Sequence, residues 1–156
     1  MMVHAGNKPK VQVMLESVFD AATEMLTKSD SGLLINAWLI QLDMEIGEVQ
    51  VYDNREVLLA KNIIFEWAEL AGRNPRLYRQ ALHFIRVSLS ALKTRRTFDH
   101  PAFLRPFRAV LVDENFTEIE QVFLLEGSDW LTEGRLMKNL DHELQIFSKK
   151  IFAELE

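Results

Sequence analysis

One segment of this sequence has to become a helix that is packed on nearly every side. It starts at Asn74-Pro75, an N-cap residue followed by a proline suited to the first helical turn, and runs to Thr94. At about 100° per residue, apolar side chains occupy the whole circumference except one arc of roughly 80°. The residues in that arc are Arg79, His83, Arg86, Ser90 and Lys93. The pattern predicts a fold in which other elements cover this helix and leave one cationic stripe exposed.

The stripe belongs to a basic window inside an acidic protein. The 36 residues from Arg73 to Arg108 contain nine basic residues and one acid, Asp99, for a net charge of +8. The basic residues are Arg73, Arg76, Arg79, Arg86, Lys93, Arg95, Arg96, Arg105 and Arg108. The other 120 residues carry nine basic and 22 acidic side chains, a net charge of −13. A block of like charges repels itself, so we expect it to face something negative.

Length and composition predict a single folded domain. A chain of 156 residues with 48% apolar content can bury one core, and we assign it to residues 9–156 after a loose tail over residues 1–8. The absence of cysteine excludes disulfides, thiolate metal sites and cysteine catalysis. The first ten residues contain no apolar run of signal-peptide length, and residues 33–40 are too few to cross a bilayer. We therefore expect a cytoplasmic protein that is not in a membrane.

The first part of the chain predicts a helix followed by strands. Apolar residues recur at helical spacing over residues 11–28. Residues 33–42 are apolar at both parities, which fits a strand covered on both faces or a buried helix. A strand is favoured because Gly47 can take a positive φ in a hairpin loop and residues 48–52 alternate between polar and apolar side chains.

Two later segments leave helix and strand open. Residues 57–65 can return as the third strand of an antiparallel meander, but Asp53 and Glu56 also have the spacing of a helix capping box. Residues 118–125 follow a turn at residues 113–115 and complete a hairpin with residues 107–112, although they too permit a helix. A short helix over residues 66–71 is predicted in either case.

The predicted fold class is α+β. An N-terminal helix leads into a three-strand meander, a long basic central helix, a β-hairpin and a C-terminal amphipathic helix that starts near residue 131 or 137 and ends at 155. A mostly α fold is the alternative. This order of elements resembles that of type III secretion chaperones, so the chain is chaperone-like in its element order. No residue motif is shared, and no functional residue is assigned from the resemblance.

The basic helix and its flanks predict a binding surface for an acidic partner. Six of the seven basic residues from Arg73 to Arg96 are arginine, which grips a carboxylate or phosphate with two hydrogen bonds. The predicted partner-binding cations are Arg73, Arg76, Arg79, Arg86, Lys93, Arg95 and Arg96. Their partner would be an acidic protein or a second copy of this chain, in a homodimer. Alternatives are pairing with the protein's own acids (Asp53, Glu56, Glu66, Glu69 or those of the last helix) and contact with nucleic-acid phosphates, which the overall acidity disfavours.

An aromatic cluster follows the helix. Phe98, Phe103 and Phe107 lie in a segment that also contains prolines and arginines, a composition enriched at protein interfaces. We therefore add these three residues to the predicted partner-binding set, while noting that aromatics are more often part of a core.

Signals for catalysis are weak. The four histidines do not form the spaced pair of a helical zinc site, and six glycines leave no nucleotide-binding loop, so we predict neither a metal nor a cofactor. Asp99 and His100, beside Arg96, are the best candidates for acid–base chemistry and keep a small enzyme as a further alternative. The leading hypothesis is a non-enzymatic binding or adaptor protein that self-associates.

Overall fold

Three helices, a short 3₁₀ turn and a five-stranded sheet make up the part of the chain that the structure describes. This computed structural model describes residues 8–28, 34–70 and 76–127. The elements are α1 (Lys10–Thr27), β1 (Ile35–Asp43), β2 (Glu48–Asp53), β3 (Leu58–Ile63), α2 (Phe65–Leu70), α3 (Leu77–Thr94), the 3₁₀ turn (Thr97–Asp99), β4 (Phe103–Val112) and β5 (Glu118–Leu125). The α+β class and the order of elements through the second hairpin are confirmed.

Some predictions fall outside these residues. The C-terminal helix and most of the N-terminal tail lie there, as do Asn74 and Pro75. The chain divides into two compact units, Met1–Leu124 and Leu125–Glu156, and the description below concerns the first unit with the end of β5. A single domain over residues 9–156 therefore stays a prediction.

The three ambiguous segments are strands. β1, β3 and β5 occupy residues 33–42, 57–65 and 118–125 to within a few residues, so the mostly α alternative is wrong. β1 pairs with β2, and β2 with β3, both antiparallel, which confirms the meander. The capping-box interpretation of Asp53 and Glu56 is wrong because Asp53 closes a hairpin turn.

The sheet contains one connection that the sequence did not predict. Its strand order is β3-β2-β1-β4-β5, and β1 runs parallel to β4. Parallel neighbours need a crossover, which α2 and α3 provide between β3 and β4. The sheet is therefore mixed, with β1 at its centre.

β4 begins earlier than the predicted strand at residues 107–112. Ile35 pairs with Phe103 and Ala37 with Arg108, so four residues of β4 lie opposite one residue of β1. Pro106 falls in this interruption of the ladder, where its missing N–H removes no regular hydrogen bond. The strand thus tolerates a proline that, in the sequence, indicated an irregular segment.

The core is an aromatic cluster centred on Trp38 of β1. Trp38 is fully buried and stacks on Phe19 of α1, with ring centroids 5.5 Å apart. It also meets Phe98, Phe103 and Phe107 edge to face at 5.5–5.6 Å. α1 packs against β2, β3 and α3, so this cluster joins the sheet to the helical layer.

Asp53 closes the β2–β3 hairpin from a buried position. Its side chain is 0% exposed, and its Oδ1 accepts hydrogen bonds from the backbone N–H groups of Arg55 (2.7 Å) and Val57 (3.0 Å). Its Oδ2 accepts a third from the Arg55 guanidinium at 3.0 Å. Glu56 takes the left-handed conformation, φ +67°, that this turn requires. The predicted turn at Asp53-Asn54 is confirmed.

The β4–β5 hairpin repeats this design. Asp113 Oδ1 accepts from the N–H groups of Asn115 (2.8 Å) and Thr117 (2.9 Å), and Phe116 has a φ of +63°. Asp113 is only partly buried, however, and no ion pair of this carboxylate with the described residues is seen. The two turns form a matched pair that differs in burial and in the guanidinium contact.

We expect Asp53→Ala to destabilise the fold by about 1–3 kcal/mol, because it leaves two turn N–H groups without acceptors and removes a buried group. Asp113→Ala should cost less, since water reaches that turn. Urea unfolding of both variants measures the difference. Equal losses would show that the burial of Asp53 contributes nothing.

Candidate functional site

The cationic stripe of α3 is exposed as predicted. Arg79, Arg86 and Lys93 lie on one side of the helix together with His83 and Ser90, and all five are exposed. The buried residues of α3 are Leu77, Ala81, Leu82, Ile85, Ser88, Leu89 and Leu92. The helix is therefore held by its apolar faces, and the stripe is available to solvent.

The stripe contains a charge that does not stabilise the helix. α3 begins at Leu77 with Arg76 as N-cap, Arg79 lies in the first turn, and that turn has no acid. The positive end of the helix dipole disfavours a cation there by about 0.3–1 kcal/mol. Lys93, in the last turn, is favourably placed. Helix stability thus explains Lys93 but not Arg79.

Arg86 is paired within the protein. Its Nη2 lies 2.5 Å from Oε2 of Glu120 on β5, which ties α3 to the sheet. Burial raises the pKa of Tyr78, and the nearby charge of Glu120 raises it further. Glu120 is the carboxylate that pairs with Arg86 of the stripe.

Arg95 ties α3 to α1. Its Nη2 lies 3.4 Å from Glu16 and 3.3 Å from Asp20. Glu16 is nearly buried and also accepts hydrogen bonds from Gln12 (2.7 Å) and Lys8 (3.1 Å). Arg95 is therefore paired with carboxylates of the protein itself.

The last three cations of the basic window form ion pairs with nearby carboxylates. Arg96 Nε lies 3.1 Å from Asp99, and Arg105 Nη2 lies 3.5 Å from the other oxygen of the same carboxylate. Arg108 forms two hydrogen bonds with Glu118, of 3.1 and 3.2 Å. Internal pairing therefore takes up much of the basic window. Among the described residues, the acceptors are Glu16, Asp20, Asp99, Glu118 and Glu120 rather than the predicted Asp53, Glu56, Glu66 and Glu69.

Part of the stripe has no ion pair within the described residues. Arg79, His83 and Lys93 form no ion pair with any described residue, and we call them the open stripe. Arg79 and Lys93 are separated by about 21 Å along the helix axis. Arg76 makes an interaction of its own, and Arg73 lies outside the described residues. Of the predicted partner-binding cations that belong to the stripe, Arg79 and Lys93 therefore form no ion pair with a described residue, whereas Arg86 does.

The three phenylalanines belong to the core. Phe98, Phe103 and Phe107 are 2%, 5% and 0% exposed, and their ring centroids lie 5.1 Å from one another. Side chains buried this deeply present no surface to another protein. The interpretation of these residues as partner-binding is corrected accordingly.

Asp99 and His100 do not form an acid–base pair. The Asp99 carboxylate faces Arg96 and Arg105. Nδ1 of His100 accepts a hydrogen bond from the N–H of Ala102 at 3.0 Å, so the neutral ring carries its proton on Nε2. No hydrogen bond between His100 and Asp99 is seen among the described residues. Both residues line an open cleft of about 540 Å³ beside Asp20 and Thr23.

Metal-binding groups and membrane-spanning helices were sought among the described residues. These residues contain no group of three or more histidine, aspartate or glutamate side chains placed to hold a metal ion. None of their helices has the length and hydropathy needed to span a bilayer. Neither feature points to a site.

Comparison with family models, curated proteins and solved structures finds no match to this chain. The resemblance in element order to type III secretion chaperones therefore stays a prediction. Function has to be inferred from the open stripe and its surroundings.

Proposed function

We propose that this chain is a non-enzymatic binding protein that self-associates and holds an acidic protein partner on the open stripe of α3. The observation that supports this proposal is the contrast between neighbouring cations on one helix. Arg86 and Arg95 have internal carboxylates, whereas Arg79 and Lys93 have none among the described residues. Cations in this state gain the most from an external acid.

The spacing of the open stripe suits an acidic segment that lies along the helix. Two cations about 21 Å apart can be reached by carboxylates spaced along one extended or helical peptide. A second copy of the chain is one source of such carboxylates, because 22 of its 23 acids lie outside the basic window. Nucleic acid is less favoured since the net charge is −5 and no phenylalanine, tyrosine or tryptophan enters the arc of the stripe.

The test uses two double charge reversals. Arg79→Glu/Lys93→Glu removes the open stripe, and Lys28→Glu/Lys61→Glu changes the net charge equally at exposed lysines elsewhere. The probe is a fluorescent poly-glutamate peptide long enough to span the roughly 21 Å of the stripe. Fluorescence anisotropy at low salt should show about tenfold weaker binding for the first variant and a loss of at most about twofold for the second.

Thermal stability separates binding from folding. Because Arg79 and Lys93 have no described partner, the first variant should keep its unfolding free energy to within about 0.5 kcal/mol. No binding of poly-glutamate, or equal losses in both variants, would contradict the proposal. Tighter binding of a single-stranded DNA oligonucleotide, falling steeply with salt, would favour the nucleic-acid alternative.

A further inference from the structure

Exposed apolar side chains gather at the end of the sheet where α2 packs. Ile46 in the β1–β2 turn is 47% exposed, Ile63 at the end of β3 is 44% exposed, and Leu70 of α2 is 38% exposed. Phe65 at the start of α2 reaches 61%, the highest value among the large apolar residues described. We call Ile46, Ile63, Phe65 and Leu70 the α2 patch. Single exposed apolar residues are ordinary, but a group of them marks an interaction site.

The segments that carry the α2 patch are in direct contact. The N–H of Ile64, between Ile63 and Phe65, donates to the carbonyl of Gly47 at 2.8 Å. Gly47 follows Ile46, and a Cβ placed on it would come within 2.5 Å of the Ala68 nitrogen in α2. The turn, the end of the strand and the helix are therefore adjacent to one another.

Buried residues and backbone hydrogen bonds hold the segments that carry the α2 patch. Ile64 and Trp67, which lie next to and between patch residues in the chain, are 0% and 2% exposed. The N–H groups of Trp67 and Ala68 both donate to the carbonyl of Ile64, which fixes α2 to the strand end. A partner would meet a preformed surface and would lose little free energy in ordering it.

Carboxylates border the α2 patch. Glu45 precedes Ile46, Glu48 pairs in register with Ile63, Glu66 follows Phe65, and Glu69 precedes Leu70. None of these four glutamates forms an ion pair with a described residue. Lys61, two residues before Ile63, is the one cation of β3. Four carboxylates and one lysine give this border a net negative charge, although one oxygen of Glu66 is buried.

We propose that the α2 patch binds a cationic amphipathic helix of a partner protein. Such a helix would place its apolar stripe against Phe65 and its neighbours and its lysines or arginines over the glutamates. Anionic lipid is disfavoured by the same glutamates. A symmetric contact between two copies is disfavoured as well, because it would bring two negative borders together. This surface is distinct from the open stripe and opposite to it in charge.

The probe is a labelled amphipathic peptide built from leucine and lysine. One comparison peptide has glutamate for every lysine, and another has the same composition in an order that gives no apolar face. Binding is measured by fluorescence anisotropy at low and at high salt. We expect the leucine–lysine peptide to bind at least about tenfold more tightly than either comparison peptide, with affinity falling as salt rises.

Matched variants locate the contact. Phe65→Ala should weaken binding by about tenfold, whereas Ile119→Ala, which removes a side chain of similar exposure on β5, should change it less than about twofold. Glu45→Lys/Glu69→Lys should weaken binding more than Glu24→Lys/Glu126→Lys, which makes the same charge change at exposed glutamates elsewhere.

These outcomes decide the proposal. Absence of binding, equal affinity for the three peptides, or equal losses in patch and control variants would overturn it. The Arg79→Glu/Lys93→Glu variant should bind the leucine–lysine peptide as the parent does, so failure of the open-stripe proposal and failure of this one are seen separately. Unchanged far-UV circular dichroism confirms that each exposed-site variant is folded.

Discussion

Replacement of Trp38 by alanine should destabilise the protein by about 3–5 kcal/mol, the cost typical of deleting a fully buried tryptophan. Trp38 lies on the central strand and contacts aromatic rings from α1, the 3₁₀ turn and β4. Its removal leaves a cavity between the sheet and the helices that none of these rings can fill without moving. Urea unfolding followed by circular dichroism measures the loss. Since small domains are stable by only about 5–15 kcal/mol, this loss removes a large part of the total stability.

Trp38→Phe is the control for this experiment. The Nε1 of Trp38 is buried and has no hydrogen-bond partner among the described residues. Phenylalanine keeps a ring against Phe19 and removes that unsatisfied donor, so it should cost about 1–2 kcal/mol. A loss from alanine no larger than the loss from phenylalanine would contradict the central position of Trp38 in the core.

Gly47→Ala should destabilise the fold by about 2–4 kcal/mol, the second largest effect that we expect. Gly47 has a φ of +73°, a conformation that costs an alanine about 1–2 kcal/mol. In addition, its new methyl group would lie 2.5 Å from the Ala68 nitrogen and 2.9 Å from the Ala68 Cα. A flexible side chain could rotate away, but these are backbone atoms of α2. The helix therefore has to move away from the β1–β2 turn. Thermal unfolding measures the loss of stability.

Gly127→Ala provides the matched control. Gly127 also has a positive φ, +37°, but no described atom lies within 4 Å of an added Cβ. Its replacement should therefore carry only the conformational cost, at most about 2 kcal/mol. If both variants lost the same stability, the contact between Gly47 and α2 would have no energetic role. Because that contact joins the β1–β2 turn, which carries Ile46, to α2, Gly47→Ala should weaken binding at the α2 patch as well.

The two proposals together imply an adaptor. In these proposals Arg79 and Lys93 of the open stripe bind an acidic partner, and the apolar side chains of the α2 patch, bordered by glutamates, bind a basic one. Opposite charges keep the two kinds of partner apart, because each surface repels the partner of the other.

Features set by short-range geometry could be predicted from the sequence. The exposed side of α3 follows from the helical period, and the positive φ of Gly47 follows from its place between two strand patterns. The turns at Asp53 and Asp113 were predicted because aspartate closes turns with its own backbone neighbours. In each case the interacting atoms lie within a few residues of one another.

Which of the cations form ion pairs within the protein could not be predicted in this way. Arg86 meets Glu120 across 34 residues, and Arg95 meets Asp20 across 75. No local pattern distinguishes Arg86 from Arg79, which is the same residue type on the same exposed side of the helix. The same holds for Phe98 and Phe107, whose composition suggested an interface although both face Trp38.

The sequence by itself determined a basic helix with one exposed side, the positions of the turns and the α+β class. Only the tertiary structure decided that β1 and β4 are parallel neighbours, that the phenylalanines fill the core, and that Arg79 and Lys93 form no ion pair with a described residue. The physical reason is that secondary structure follows local periodicity. Charge pairing and burial instead depend on distances between residues that are remote in the chain.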